Sequence, residues 1–334
     1  MSRVTCQRLT RDMRGFILAP TSRLPLRPLE GGCGMAVKLS IGSWAYTFGP
    51  YAKAPIDLPT VCRKLGELGF DGIELGGFRP HAHPDDYATP AKQAGLRKLL
   101  ADNGLEVSAI AADFWSDALV PWEKQAGYRE TFKKNLDFCV AIGIPCIRVD
   151  TVAPPPGPAG KERQDALKKC ADLWRECAET AAKAKVKVTW EFEPGFAFNK
   201  PCEIVGIAKK VNHPNFGILL DACHAHMVAA VGARQPEPVE ILPNGELDLI
   251  KNLTGHINHI HLIDSDNTLH GNETSTHRPF GEGVLDFNKI IPAILKAGYK
   301  SEWWVIDLCF WPEAWNVTDA AKKFLEPYIK KYGK

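Results

Sequence analysis

The chain has 334 residues, 45% of them apolar, with 41 Lys and Arg against 39 Asp and Glu. That is enough apolar residue for one large core, and too small a charge imbalance to draw nucleic acid or an anionic membrane by bulk electrostatics. No apolar run reaches the roughly eighteen residues of a membrane span. The ten cysteines are scattered without a Cys-x-x-Cys pair, the usage of reduced thiols in a cytoplasmic protein rather than of a disulfide framework or a zinc knuckle. The expected partner is a small neutral or mildly anionic molecule.

Residues 1–34 stand apart, with Arg3, Arg8, Arg11, Arg14, Arg23 and Arg27 against Asp12 and Glu30. They lack the apolar stretch of a secretory signal, and Met35 stands immediately before the first strand-like run. We read 1–34 as an extension, disordered or loosely docked, and 35–334 as one catalytic domain.

From Lys38 onward short apolar runs alternate with amphipathic segments. Strands are expected at 39–43, 72–75, 107–111, 146–149, 186–191, 216–221, 257–263 and 302–307. Helical spacing of apolar residues marks 57–68, 90–103, 128–142, 162–185, 202–211, 248–252, 287–297 and 319–332. Gly69, Asn103, Gly143 and Gly298 stand where helices should close. Eight such units fit a single (β/α)8 TIM barrel of parallel strands, whose chemistry lies beyond the strands' carboxyl ends. A doubly wound sheet would call for a Gly-x-Gly-x-x-Gly turn after the first strand, where this chain reads Ser43-Trp-Ala-Tyr-Thr-Phe-Gly-Pro50. Insertions at 154–158, 235–245 and 264–283 follow strands and are expected to build the rim.

Four late strand-like runs end in a donor: Glu191, Asp221, His261 and Asp307. Three carboxylates and an imidazole form a borderline-hard set suited to one Mn, Co, Mg or Fe ion, and less to a zinc. Such an ion polarises a sugar carbonyl and stabilises the enediolate left when a neighbouring C–H proton is removed, with an adjacent carboxylate as base. The competing reading of the four is helix capping and surface acidity. Trp44, Phe114, Trp115, Trp190 and Trp311, at or beyond strand ends, are candidates for an apolar wall against a sugar face. His81 and His83 follow the second strand and either touch substrate or sit in a solvated loop. Asp150 ends the fourth strand as a ligand's acceptor or a helix cap.

Glu191-Phe-Glu-Pro-Gly195, Asn215-Phe-Gly-Ile-Leu-Leu-Asp-Ala-Cys-His224, His259-Ile-His-Leu-Ile-Asp264, Pro279-Phe-Gly-Glu-Gly283 and Gly298-Tyr299 follow one another in order. Together they resemble the xylose-isomerase-like TIM barrel superfamily of sugar phosphate isomerases and epimerases, from about Val37 to the end. Phe70-Asp-Gly-Ile-Glu74 is similar to that family's second strand. The resemblance implies one divalent metal held by Glu, Asp, His and Glu at the ends of strands five to eight. Carried over by position, Glu191 is the first ligand, with Glu193 as pocket neighbour or alternative ligand. Asp221 is the second and His224 a substrate contact. His261 is the third, with His259 a weaker candidate. The fourth departs from the pattern, since Asp307 stands where the family has Glu, one residue later in its strand. A backbone shift, a bridging water, or a role for Glu302 or Glu313 would then be needed. Asn267 stands where ketohexose epimerases place an Arg, which leaves His277 and Arg278 as candidates for the missing positive charge.

The resemblance further implies that Glu191 and Asp307 move the proton. Transfer between opposite faces gives epimerisation and transfer along one face gives aldose–ketose isomerisation, while an inosose-type dehydration shares the first step; all three stay open. An abasic-site DNA endonuclease with a zinc cluster would need His ligands after strands two and three, where His81 or His83 supplies one and 109–115 none. A non-catalytic sugar-binding barrel is the remaining alternative. Barrels of this superfamily often pair, so a homo-oligomer is compatible with the resemblance.

Overall fold

The computed structural model describes residues 36–333; the reading of 1–34 as an extension lies outside them. The strands are β1 (Lys38–Ile41), β2 (Gly72–Gly76), β3 (Glu106–Ala111), β4 (Cys146–Val149), β5 (Lys187–Glu191), β6 (Phe216–Asp221), β7 (Ile257–Leu262), β8 (Asp264–His270), β9 (Thr274–Arg278) and β10 (Trp303–Ile306). All but β8 and β9 form one parallel sheet in the order β1-β10-β7-β6-β5-β4-β3-β2. A parallel bridge from Gly42 to Glu74 brings the two ends together. The architecture is the expected TIM barrel.

Helices α1 (Leu58–Glu67), α2 (Pro90–Asp102), α3 (Gln125–Ile142), α4 (Gly160–Lys183), α5 (Pro201–Val211), α6 (Ala222–His226), α7 (Glu246–Asn252), α8 (Phe287–Lys296) and α9 (Ala314–Tyr332) connect the strands. Local chemistry sets their ends. Asp57 caps α1 by accepting the Thr60 N–H at 2.9 Å, and Thr89 caps α2 in the same way through Lys92. Gly143 closes α3 with φ +91°, a conformation that costs glycine little. After α2 it is Gly104, at φ +67°, rather than Asn103 that turns left-handed.

Strand alternation sorts side chains between shell and interior. On β5, Trp190 packs outward against Trp174 of α4, ring centroids 5.1 Å apart, so its neighbour Glu191 points into the barrel. Trp174, Trp190 and Trp304 are fully buried and anchor the layer between strands and helices. Cys62, Cys139, Cys146, Cys170, Cys177 and Cys223 are free thiols in the core. Among the described residues no helix is long and apolar enough to cross a membrane.

The segment expected as a polar rim loop, 264–283, is largely an antiparallel hairpin of β8 and β9. Its turn places Gly271 and Asn272 at φ +59° and +57°, the left-handed pair that a tight hairpin demands. Asp264 staples the base of this hairpin to the chain beyond β9: its carboxylate accepts the N–H groups of Ser265, Gly281, Gly283 and Leu285 at 2.8–3.1 Å. A Cβ at position 283 would collide with that carboxylate, which accounts for Gly283. A second unanticipated element comes after β6, where α6 widens into a π-type turn at Met227–Val231.

Candidate metal centre and active site

Register gathers the four sequence candidates. Asp221 and His261 are Cα partners across β6 and β7, Glu191 lies opposite Leu219, and Val305 lies opposite His261. Asp307 follows β10 by one residue, its N–H on the Leu262 carbonyl at 3.3 Å. One donor atom from each of Glu191, Asp221, His261 and Asp307 lies within 4.8 Å of the other three. The shorter Asp therefore reaches the cluster. Glu302 lies at the far end of β10 in an ion pair with Lys38, and Glu313 accepts from Asn316 at the start of α9.

Each carboxylate is anchored through one oxygen and presents the other. Asp221 Oδ1 accepts the His224 N–H at 2.7 Å, and Asp307 Oδ1 accepts from Trp44 Nε1 and the Cys309 N–H, both at 2.9 Å. Glu191 Oε2 meets the Arg148 guanidinium at 2.5 Å. Asp221 Oδ2, Glu191 Oε1 and His261 Nδ1 are left buried without a hydrogen-bond partner. Glu191 Oε1 and His261 Nδ1 are nevertheless 2.9 Å apart. Such proximity without hydrogen-bond alignment suits two ligands of one cation better than it suits a donor and its acceptor.

The electrostatics of the cluster fit a cation site. Burial, with Asp307 adding to it, pushes Asp221 up to about 7. Burial would also lower His261, but Glu74 and Glu191 outweigh it and hold the imidazole well above its usual range. A divalent cation held by these residues would displace the protons that the shifts favour. Behind it, His261 Nε2 lies 3.2 Å from Glu74 Oε1, and Glu74 Oε2 lies 2.7 Å from His259 Nε2. A carboxylate on the far ring nitrogen fixes tautomer and ring direction, leaving Nδ1 for the ion. The donor set fits one divalent metal.

In front of the cluster a cavity of about 290 Å³ opens between Trp44, Phe48, Phe78, Trp115, Phe196 and Phe310. Glu193, His224, His277, Arg148 and Arg234 supply its polar wall. Glu193 takes the Thr274 hydroxyl and lies 3.8 Å from His224 Nε2, while burial and the neighbouring Glu191 raise it to about 7. It faces the cavity, and Glu191 takes the place in the cluster. His224 is fixed by Ser275 Oγ at 2.8 Å and held neutral, near 3, by burial and by His277. Burial would lower His277, but Asp307 and Asp221 outweigh it and raise the ring to about 9. Its Nδ1 stands 3.5 Å from Asp307 Oδ1, and together with Asp221 and His224 it forms a second group of close donors.

Other candidates lie elsewhere. His81 is absent from the cavity wall because its Nε2 is bound to the Ile56 carbonyl at 2.8 Å. His83 Nδ1 accepts the Asp85 N–H. Arg278 points outward over the Trp311 ring and toward Asp266, so of the pair only His277 brings charge to the cavity. Of the proposed aromatic wall Trp44 and Trp115 take part, whereas Phe114 stacks on Tyr128 at 4.1 Å and Trp190 faces the helices. Asp150 caps no helix, since α4 begins at Gly160; it accepts Trp115 Nε1 at 3.0 Å and so positions that ring. The main omission from the sequence reading is Arg148, a charge inside the four-residue strand Cys146–Val149. That incongruity was its signal.

A family profile described as Xylose isomerase-like TIM barrel matches residues 62–327. The chain belongs to this family. No curated protein matches the sequence. Among solved structures, the family member is similar to the IOLI protein with a bound zinc atom, at 19% identity and TM-score 0.68, covering 88% of this chain and 99% of that one. A D-tagatose 3-epimerase-like protein matches at 19% and 0.64 over the same shares, 88% and 99%. The D-psicose 3-epimerase of Clostridium cellulolyticum H10, solved with D-tagatose, matches at 16% and 0.65 over 87% and 99%. At these identities the likeness is one of fold.

Proposed function

We propose that the protein is a divalent-metal-dependent isomerase or epimerase of a small sugar or polyol, working by proton removal beside a polarised carbonyl. The observation that carries this reading is the buried cluster of Glu191, Asp221, His261 and Asp307, with three unpartnered donor atoms, at the foot of an aromatic-walled cavity. Mn, Co, Mg or Fe suits three carboxylates and one imidazole, and when bound it would polarise a substrate carbonyl as a Lewis acid. Glu191 is held ionised at about 2, because Arg148 and His261 outweigh its burial, and serves as the base. Asp307 arrives from a different strand and returns the proton. Neutral His224 and cationic His277 address substrate oxygens, while Trp44 and Trp115 receive a C–H face and exclude water. The epimerases among the structural neighbours support a ketose-like substrate.

The zinc-cluster endonuclease finds less support. Its histidine after β2 is committed to Ile56, and the candidate ion-holding groups among the described residues share Asp221 or His261 and draw nothing from β3.

The test is incubation of the Mn²⁺-loaded protein with ketoses, inosose and hydroxypyruvate in deuterated water. Deuterium is expected at the carbon beside the carbonyl of at least one of them, read by NMR. Glu191→Gln and Asp307→Asn should slow it by about 10²–10⁴-fold. A metal-loaded protein that washes deuterium into none of them sinks the proposal.

A further inference from the structure

A cavity larger than the one beside the donor cluster lies elsewhere in the barrel. It occupies about 1050 Å³ at the opposite, amino-terminal end of the strands, bounded by the first residues of β3, β5, β7 and β10. Its wall is apolar at Leu105, Ile257 and Trp303. Its rim carries Arg97, Lys187, Lys296 and Lys300 against Glu106 and Glu302. Both acids are already engaged by Lys38, at 2.8 and 3.3 Å, whereas Lys296 and Lys300 make no ion pair among the described residues. The balance of the rim is therefore positive.

The floor is polar and points toward the metal centre. His259 lines this cavity, is 1% exposed, and is bound through Nε2 to Glu74. Its other ring nitrogen makes no hydrogen bond among the described residues. Ser108, also in the wall, accepts from Ser40 and keeps its own O–H to donate. Glu74 in turn holds His261, so two hydrogen bonds connect the floor of this cavity to a proposed ligand of the metal.

We infer that this cavity binds a small amphipathic organic anion, and that its occupant acts on the metal centre through His259, Glu74 and His261. The acid group of the ligand sits at the rim beside Lys296 and Lys300, and its apolar body lies along Ile257 and Trp303 toward Ser108 and His259. Occupancy that moves the His259 ring moves Glu74 with it, and Glu74 fixes the direction of His261. The coupling part rests on the proposed metal centre, whereas the binding part needs neither metal nor sugar.

The probe is 8-anilinonaphthalene-1-sulfonate, titrated into the full chain and followed by its fluorescence. Binding should saturate, weaken with salt, and weaken roughly tenfold in Lys296→Glu/Lys300→Glu, two exposed charges reversed. Phe310→Ala, in the other cavity, should leave it unchanged. Absence of saturable binding, binding indifferent to the double charge reversal, or binding lost in Phe310→Ala overturns the site. For the coupling, Mn²⁺ affinity measured by EPR of the free ion should change by roughly fivefold with the probe bound, and probe affinity by the same factor with Mn²⁺ bound. Equal affinities in the two conditions overturn it.

Discussion

Glu74 on β2 reaches across the barrel interior to His261 on β7, with 3.2 Å between its Oε1 and the imidazole Nε2. Its other oxygen holds His259, and the two histidines outweigh burial to keep it ionised, well below the usual carboxylate range. Glu74→Gln gives one histidine an amide N–H in place of an acceptor, so one ring must turn or change tautomer. Mn²⁺ affinity should fall by about 10- to 100-fold. Glu193→Gln should leave it unchanged. Isothermal titration of both variants decides, and wild-type affinity in Glu74→Gln removes the orienting role.

Asp221 and Asp307 face one cluster with opposite tendencies, Asp221 raised to about 7 by burial and Asp307 held well below its ordinary value because His277 and His261 outweigh burial. The pair keeps a proton that the unfolded chain releases near 3.8. A raised folded pKa means that this contribution is complete below the unfolded value and is lost as pH rises through about 7. The melting temperature of chelator-treated protein should therefore drop between about pH 4 and about pH 7. Mn²⁺ at a hundredfold excess over its Kd should restore about 2.7 kcal/mol and flatten the profile. A chelator-treated protein with a flat profile contradicts the assignment.

Arg148 is buried between Glu191 and Asp150, 2.5 Å and 3.5 Å away. Arg148→Met leaves two buried carboxylates without their cation and should cost about 3–5 kcal/mol in chemical denaturation. Glu191 must be ionised to accept a proton, and without Arg148 its burial raises its pKa. The acid limb of kcat/KM should move to higher pH. Arg148→Lys keeps the charge but not the fork, and should recover stability only in part.

Asn272 holds φ +57° at the tip of the β8–β9 hairpin, which carries Thr274 and His277 to the cavity and Ser275 to His224. A β-branched residue resists that backbone, so Asn272→Val should cost about 1 kcal/mol and loosen the hairpin. KM should rise while Mn²⁺ affinity holds, because none of the four clustered donors lies on the hairpin. A loss of Mn²⁺ affinity alongside the rise in KM would mean that the hairpin supports the cluster itself.

The barrel was readable because each strand is a short apolar run between turn residues, and the donors because a charged or imidazole side chain ended such a run. The hairpin was hidden by its composition. Asp264–His270 is polar on both faces, so no alternation separates it from a loop, and only Gly271-Asn272 hinted at the turn. His81 misled for a geometric reason: Phe78 lines the cavity, and a turn closed by the His81 N–H on the Phe78 carbonyl sends the His81 ring to Ile56 instead. Arg148 and Glu74 are charges within strands too short for periodicity to say which way they point. Their roles come from partners contributed by other strands, Glu191 and His261, and no local pattern encodes those.

β10, which leads directly into Asp307, is hydrogen-bonded between β7 and β1. The last stave to be synthesised must therefore slot in beside the first before the fourth donor reaches the other three. A cation that needs all four could not template early folding of this chain; it would be captured by a finished barrel and would lock the seam where the first and last strands in sequence meet.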